Sequence, residues 1–486
     1  MSNNPPAATP PAPAPPAATP PAPAPLTMTE AAAALRAGTV TSVQLTETAI
    51  TRADKLDGAL GVFLTRFDEY ALAAAAEADA ELAAGVDRGP LHGIPVAVKD
   101  ILAMAEGPTT AQSLILDPAW GEGRDAPVVA RLKQAGAVIT GKTSTMEFAI
   151  GMPDPDKPFP LPRNPWDTAT WPGGSSSGSG AGVAAGLFYL GIGTDTGGSI
   201  RIPAGFCGVS GLMPTFGRVP KSGCVPLGYS LDHIGPLARS AADCAAVLEV
   251  IAGRHPSDPD CVDAPFTAEP AGPDLSGLRV GVVTENQISD RADPALRPAL
   301  EAAAGVLAAQ GADVREVRLP YWHEMNTANL ATIMAEALAY HRGDLSRRWD
   351  DYFAATRALV AQGALISGAD YVQAQRVRRV AQQALGDLFA EVDLIVCPTL
   401  QGGSPSYDAL ATGGLASLMG LVNTGYWDCT GNPVLAVPIG FTAAGLPLSM
   451  QIAAPAFGEA AALRAGQVYQ RHTDWHRRQP ELAAAL

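Results

Sequence analysis

The stretch Leu278–Val317 reads LRVGVVTENQISDRADPALRPALEAAAGVLAAQGADVREV, and its pattern changes twice. Leu278–Val283 is a short β-branched run of the kind that forms a buried strand. Residues 294–310 read as a helix, and Ala312–Val317 returns to strand. The alternation continues in both directions. Upstream, His92-Gly-Ile-Pro-Val-Ala-Val-Lys99-Asp100 predicts a buried strand after a turn, 125–136 a helix, Ala137–Thr140 a strand and 240–253 a helix. Downstream, 325–390 is mainly helical. Strands follow at Leu394–Cys397 and Val434–Pro438, then a last helix at 459–471. Strands interleaved with helices place the chain in the α/β class.

The amino-terminal part is helical. Thr27 with Glu30, and Thr41 with Gln44, are capping-box pairs that start two helices, the second running to about Leu56. A third, alanine-rich helix covers 67–84. Ahead of them, residues 5–14 read PPAATPPAPA and residues 15–24 repeat the same letters. That tail offers nothing large to bury and is expected to be a disordered, polyproline-biased extension over 1–25. No linker-like composition divides 26–486, which predicts one large domain with 325–390 as a cap-like helical region. Residues 151–172 read as Pro-rich coil, Ala181–Leu187 as a helix of small residues, and Leu231–Pro236 as irregular.

Composition narrows the function. The 486 residues are 47% hydrophobic and 17% charged, which excludes a charge-rich disordered protein. With 48 acidic and 33 basic residues the net charge is −15, a poor match to nucleic acid, so no nucleic-acid partner is expected. Six scattered cysteines form no CxxC pair or zinc-spaced cluster, so free thiols in a reducing cytoplasm are expected. The first basic side chain is Arg36, so no secretory signal is read. The charge-free run Thr168–Thr194 carries Trp-Pro-Gly-Gly-Ser in its first half, whose unpaired polar backbone lipid would not tolerate, so no membrane partner is expected.

Lysine is scarce, at six positions, and one of them closes the apolar run Val96-Ala-Val-Lys99. Desolvation there disfavours the charged form, and a neutral amine is a general base. A salt bridge, with Asp100 for instance, is the competing reading. Gly173-Gly-Ser-Ser-Ser-Gly-Ser-Gly180 runs into a helix, where backbone N–H groups suit an anion or oxyanion. Gly193-Thr-Asp-Thr-Gly-Gly-Ser-Ile-Arg201 places two glycines before Ser199. The N–H groups of Thr196, Gly197, Gly198 and Ser199 are then candidate oxyanion donors, with Gly174 a further oxyanion or substrate-binding residue. Asp195 and Arg201 are expected to pair and fix this loop. A dry lysine and two Gly-framed serines together suggest a nucleophile with its activating base.

Those residues carry a resemblance. HGIPVAVKD, RNPW followed by PGGSSSGSGAGVAAG, and GTDTGGSIRIPAGFCGVSGLMPT, in that order, are similar to the signature of the amidase signature family. Ser230-Leu-Asp-His-Ile-Gly-Pro236, Cys397-Pro-Thr399, Thr430-Gly-Asn-Pro433 and Gly445-Leu-Pro447 resemble it too, so the likeness covers roughly 28–480. It implies a mixed, twisted β-sheet with helices on both faces. It assigns Ser199 as acylated nucleophile, Ser175 as the middle residue held through a cis peptide, and Lys99 as base, with no metal and no cofactor. Gln112, Ser177, Gly182 and Met213 depart from the usual pattern, and none is one of these three groups.

The implied activity is hydrolysis of a small-molecule amide, with aryl amides, carbamates and esters open to the same chemistry. A homodimer is left open. The pocket is expected to draw on 104–113, 146–150 and the apolar, charge-free run 409–427, with the 325–390 helices as walls. Three rival readings compete. An α/β-hydrolase elbow at Gly174–Gly178 lacks a preceding strand and a distinguished histidine. A phosphate-binding loop at Gly193–Gly198 lacks its lysine. The glutaminase subunit of a tRNA-dependent amidotransferase is the alternative within the same family.

Overall fold

The computed structural model describes residues 26–268 and 270–484. The expected tail at 1–25 therefore lies outside the described residues. Eleven strands form one sheet: β1 (Phe63–Arg66), β2 (Pro95–Lys99), β3 (Val138–Thr143), β4 (Leu190–Asp195), β5 (Ser210–Met213), β6 (His233–Ala238), β7 (Arg279–Val282), β8 (Asp313–Glu316), β9 (Leu394–Pro398), β10 (Val434–Phe441) and β11 (Pro447–Ala453). Their order is β1-β3-β2-β4-β6-β5-β10-β11-β9-β7-β8. The sheet is mixed, as the resemblance implies: β3, β2 and β4 run parallel, as do β8, β7 and β9. The remaining neighbours are antiparallel.

Alternation along β2 shows how the sheet is covered. Val96 and Val98 pack with Val128, Leu132, Val247 and Leu248 from the helices Pro127–Gln134 and Ala241–Ile251. Ala97, between them, packs with Leu56, Ala181 and Ala184 from the helices Ser42–Leu60 and Ser177–Ala185. One strand thus serves two apolar layers, which is why its residues are hydrophobic without alternation.

The capping boxes at Thr27/Glu30 and Thr41/Gln44 form as read. Several elements differ from the sequence reading. Leu231–Pro236, read as irregular, overlaps β6, and β1, β5 and β11 are strands that the reading does not contain. The glycine-rich 190–195 segment is strand β4. A Cβ on Gly191 would meet Ser179 Cβ at 2.8 Å, and one on Gly193 would meet Ser176 Oγ at 2.7 Å. The glycines are there because a helix lies directly on the strand. That helix begins at Ser177 rather than Ala181, so the Gly/Ser loop supplies its first turn. The 325–390 region comprises helices Trp322–Leu345, Ala354–Gln362 and Gly368–Glu391. No helix among the described residues is long and apolar enough to cross a membrane.

Candidate active site

Lys99 is the last residue of β2, and Thr194 lies one residue from the end of the neighbouring parallel strand β4. Open sheets with parallel strands gather ligands and chemistry at these carboxyl ends. The Lys99 side chain is fully buried, with Nζ donating to Ser175 Oγ at 2.7 Å and Thr194 Oγ1 at 2.7 Å. Burial pulls its pKa from 10.5 down to about 7, only partly opposed by Cys224, Asp195 and Asp232.

The salt-bridged alternative for Lys99 is settled by the next residue. Asp100 faces Lys142, with Nζ–Oδ1 at 3.1 Å, and also accepts from the Thr110 amide and hydroxyl. Lys142 is buried too and donates to Leu102 O and Thr109 Oγ1. The charge beside Lys99 therefore belongs to another cation.

Ser175 follows a cis Gly174–Ser175 peptide bond. Its carbonyl accepts from the Met146 amide at 3.3 Å. Gly174 admits no side chain: a Cβ would strike Met146 Sδ and Trp171 Cζ2. Ser176, the serine of the G-x-S-x-G pattern, is structural. Its Oγ donates to Thr194 O and accepts from Thr194 N, both at 3.2 Å. No histidine partners it among the described residues. His233, the one beside this loop, is buried and lowered to about 4 chiefly by burial, with Nδ1 3.3 Å from Asp195 O.

Ser199 is half-buried, and its carbonyl accepts from the Ser176 amide at 3.2 Å, which ties the two serine loops together. Asp195 and Arg201 pair as read, with Nε–Oδ2 at 2.9 Å. Arg201 also reaches Asp428 Oδ2 at 2.7 Å, Gln451 Oε1 at 2.8 Å and Thr424 O at 3.0 Å. Burial alone would raise Asp195, but Arg201 overrides it and holds the carboxyl low. Asp428, buried with a carboxylate beside it, is pushed well above the usual range.

One predicted donor is corrected. The Gly198 N–H is directed at Asp195 Oδ1 and so is not available to an oxyanion. Gly198 matters for its backbone instead: its φ is +127°, and a Cβ there would collide with Thr424. The N–H groups of Thr196, Gly197 and Ser199 have no acceptor among the described residues. The loop is held by its other atoms. Thr196 Oγ1 donates to Asp232 at 2.6 Å, Asn329 Nδ2 donates to Thr196 O at 3.2 Å, and Thr424 Oγ1 donates to Gly197 O at 2.6 Å.

The sequence reading did not single out Thr194, Asp232, Asn329, Thr424 or Asp428, although Thr194 and Asp232 lay inside quoted motifs and Thr424 inside the 409–427 run expected to line the pocket. Nothing local marked Asn329 or Thr424 individually, because only the packing of distant helices brings them to residues 196–197.

The amidase family model matches residues 44–463. A glutamyl-tRNA(Gln) amidotransferase chain from Roseiflexus sp. (strain RS-1) is 40% identical, aligned over 92% of this chain and 96% of its own. An amidase from Pseudomonas putida is 39% identical, over 93% and 97%. Among solved structures, the peptide amidase from Stenotrophomonas maltophilia superposes with a TM-score of 0.81 at 30% identity, covering 94% of this chain and 98% of that one. The amidotransferase names overturn one expectation. Net acidity does not exclude a nucleic-acid partner, because relatives named for a glutamyl-tRNA enzyme align along almost their whole length. Charge summed over a chain says nothing about what one face, or an accompanying chain, can bind. Matched over most of its length by both sequence and structure, this chain belongs to the amidase family.

Proposed function

We propose that the chain hydrolyses carbon–nitrogen bonds of small-molecule amides through an acyl-enzyme on Ser199. The Ser199 hydroxyl attacks the carbonyl carbon and passes its proton to Ser175 Oγ, whose own proton moves to Lys99 Nζ. The tetrahedral oxyanion takes hydrogen bonds from the Thr196, Gly197 and Ser199 amides. The proton returns along the same path to the leaving amine, and water then cleaves the ester. A neutral amine has one lone pair. With one N–H given to Thr194 Oγ1, that pair is left to accept the Ser175 proton once the amine rotates its second N–H away from Ser175 Oγ.

The observation that carries this reading is the dry Lys99 amine, lowered to about 7 and 2.7 Å from the Ser175 hydroxyl with no carboxylate partner. The apolar cluster of Met146, Trp171 and Ile202 beside the serine loops favours alkyl or aryl acyl groups. Single-domain organisation over 26–486, with 325–390 as cap, and a cytoplasmic setting with free thiols belong to the same reading. The test is a panel of p-nitroanilides, short and long alkyl amides, glutamine and carbamates. Ser199→Ala is expected to abolish turnover and labelling by a fluorophosphonate, and Lys99→Ala to abolish turnover. Full turnover in both variants would refute the assignment.

A second reading is favoured by the relatives' names: the same serine releasing ammonia from glutamine as one component of an amidotransferase. Turnover of simple amides by the chain alone, with glutamine no better than the others, decides against it.

A further inference from the structure

Planarity makes each peptide group of the 196–199 loop a rigid lever: where its carbonyl points, the N–H of the next residue points the opposite way. The Thr196 carbonyl therefore sets the direction of the Gly197 N–H. That carbonyl accepts from Asn329 Nδ2 at 3.2 Å. Asn329 does not belong to the sheet or to either serine loop. It sits on the helix Trp322–Leu345, more than a hundred residues downstream, and is buried.

The surroundings are shaped for this carboxamide. A Cβ on Gly197 would stand 3.3 Å from Asn329 Oδ1, and one on Gly425 would stand 2.8 Å from it. Glycine on both sides lets the amide reach the loop. Asparagine is a poor choice inside a helix, and a buried amide is costly unless hydrogen-bonded, so its place on the buried face of this helix needs a tertiary reason. Met325, Ala328, Ile333 and Ala337 on the same helix are buried apolar residues. The neighbouring peptide is held independently, by Thr424 Oγ1 on the Gly197 carbonyl and Asp195 on the Gly198 N–H. Asn329 is thus the only side chain found on the Thr196 carbonyl among the described residues.

We propose that Asn329 is a positioning residue of the catalytic centre: the helical region over 322–345 aims the Gly197 N–H at the oxyanion through the Asn329 carboxamide. Donation to the Thr196 carbonyl also polarises that peptide and strengthens its N–H as a donor. The inference rests on the acyl-enzyme reading above and adds that the cap contributes to transition-state binding.

The test uses the full chain, the p-nitroanilide it turns over best, and a peptide aldehyde with the same acyl group, which forms a tetrahedral adduct. Asn329→Leu removes the donor at similar volume. Asn329→Asp, assayed at pH 8, keeps the shape and replaces the donor with an acceptor. Deleting an oxyanion donor outright typically costs 10²–10³ in rate, so misaiming one is expected to lower kcat about tenfold. KM should stay within about twofold, and aldehyde affinity should fall by the same factor as kcat/KM. Unchanged kcat in a folded variant overturns the proposal. So does a fall in kcat with aldehyde affinity intact, or a rise in KM alone. Should Asn329→Leu fail to fold, Asn329→Asp decides by the same criteria. If the unaltered chain turns over none of the panel, the acyl-enzyme reading fails and this inference with it. Normal turnover by the parent with parent-like Asn329 variants overturns this inference alone.

Discussion

Replacing Lys99 with methionine should destroy activity and yet leave the fold slightly more stable than the parent at pH 6. The amine is lowered from 10.5 to about 7 by burial. At about 1.4 kcal/mol per tenfold, that drop amounts to roughly 5 kcal/mol of stability forgone whenever the group must carry a proton. The sign follows from proton counts. Between pH 7 and 10.5 the unfolded chain holds this proton and the folded chain does not, so stability rises with pH across that window. Below pH 7 both states are protonated and the full penalty applies. Methionine has a similar length and no charge, so Lys99→Met removes the penalty. Against that gain, the Ser175 and Thr194 hydroxyls lose a partner, at about 1–3 kcal/mol each for buried groups left unpaired. Taking about 2 kcal/mol for each lost partner, the net expectation is a stabilisation of about 1 kcal/mol at pH 6 that passes through zero and becomes a destabilisation by pH 9. Urea unfolding of both proteins at pH 6, 7.5 and 9 reads it directly. The parent's kcat/KM should rise along an acid limb centred near 7. A Lys99→Met protein less stable than its parent by the same amount at every pH would show that the lysine is structural, and the reasoning would fail.

Thr194→Val removes the acceptor that orients the amine. It should lower kcat about tenfold with little change in KM, measured by steady-state kinetics. Gly198→Ala meets both a φ of +127° and the Thr424 side chain, so it should cost more than tenfold in kcat/KM and several degrees in Tm. Asp428 and Asp195 share Arg201, but burial and the neighbouring carboxylate push Asp428 up while Arg201 holds Asp195 low: Asp428→Asn should cost less stability than Asp195→Asn, which removes the charged partner of Arg201 and one of the two oxygens that accept from the Gly198 and Ile200 amides and should cost about 3–5 kcal/mol by urea unfolding.

Much of this fold could be read locally. Val-Ala-Val before Lys99 reads as strand because a strand buried on both faces has no polar side to show. The Thr27 and Thr41 caps are fixed by chemistry within four residues. The misses share a cause. Strand β4 is LGIGTD, and glycine ordinarily argues against strand. Here the glycines answer to the helix Ser177–Ala185 lying on them, a contact made at a distance in sequence. Strand β6 contains Gly235 and Pro236 and reads as irregular for the same reason. The Gly198 donor is misjudged because a run of amides looks uniform in sequence. Only the position of the Asp195 carboxylate shows which one is already engaged.

A base that must stay neutral poses a problem of exclusion as much as of placement. Any free carboxylate near Lys99 would draw a proton onto it and raise its pKa back towards 10. Asp195 and Asp232 act on the Lys99 amine, Asp100 follows it in sequence, and each of the three is occupied elsewhere. Asp100 is held by Lys142 and Thr110. Asp195 is held by Arg201 and by the Gly198 and Ile200 amides. Asp232 accepts from Thr196 and from the Leu227 and Gly228 amides, and burial raises its carboxyl above the ordinary range. Three of the groups that hold Asp195 and Asp232, namely Arg201, the Gly198 amide and the Thr196 hydroxyl, also fix the 196–199 loop. The two requirements of the chemistry, an unprotonated amine and a set of aimed amides, are therefore met by one hydrogen-bond network. A substitution that frees either aspartate should disturb both at once: the acid limb of kcat/KM moves to higher pH as the maximal rate falls.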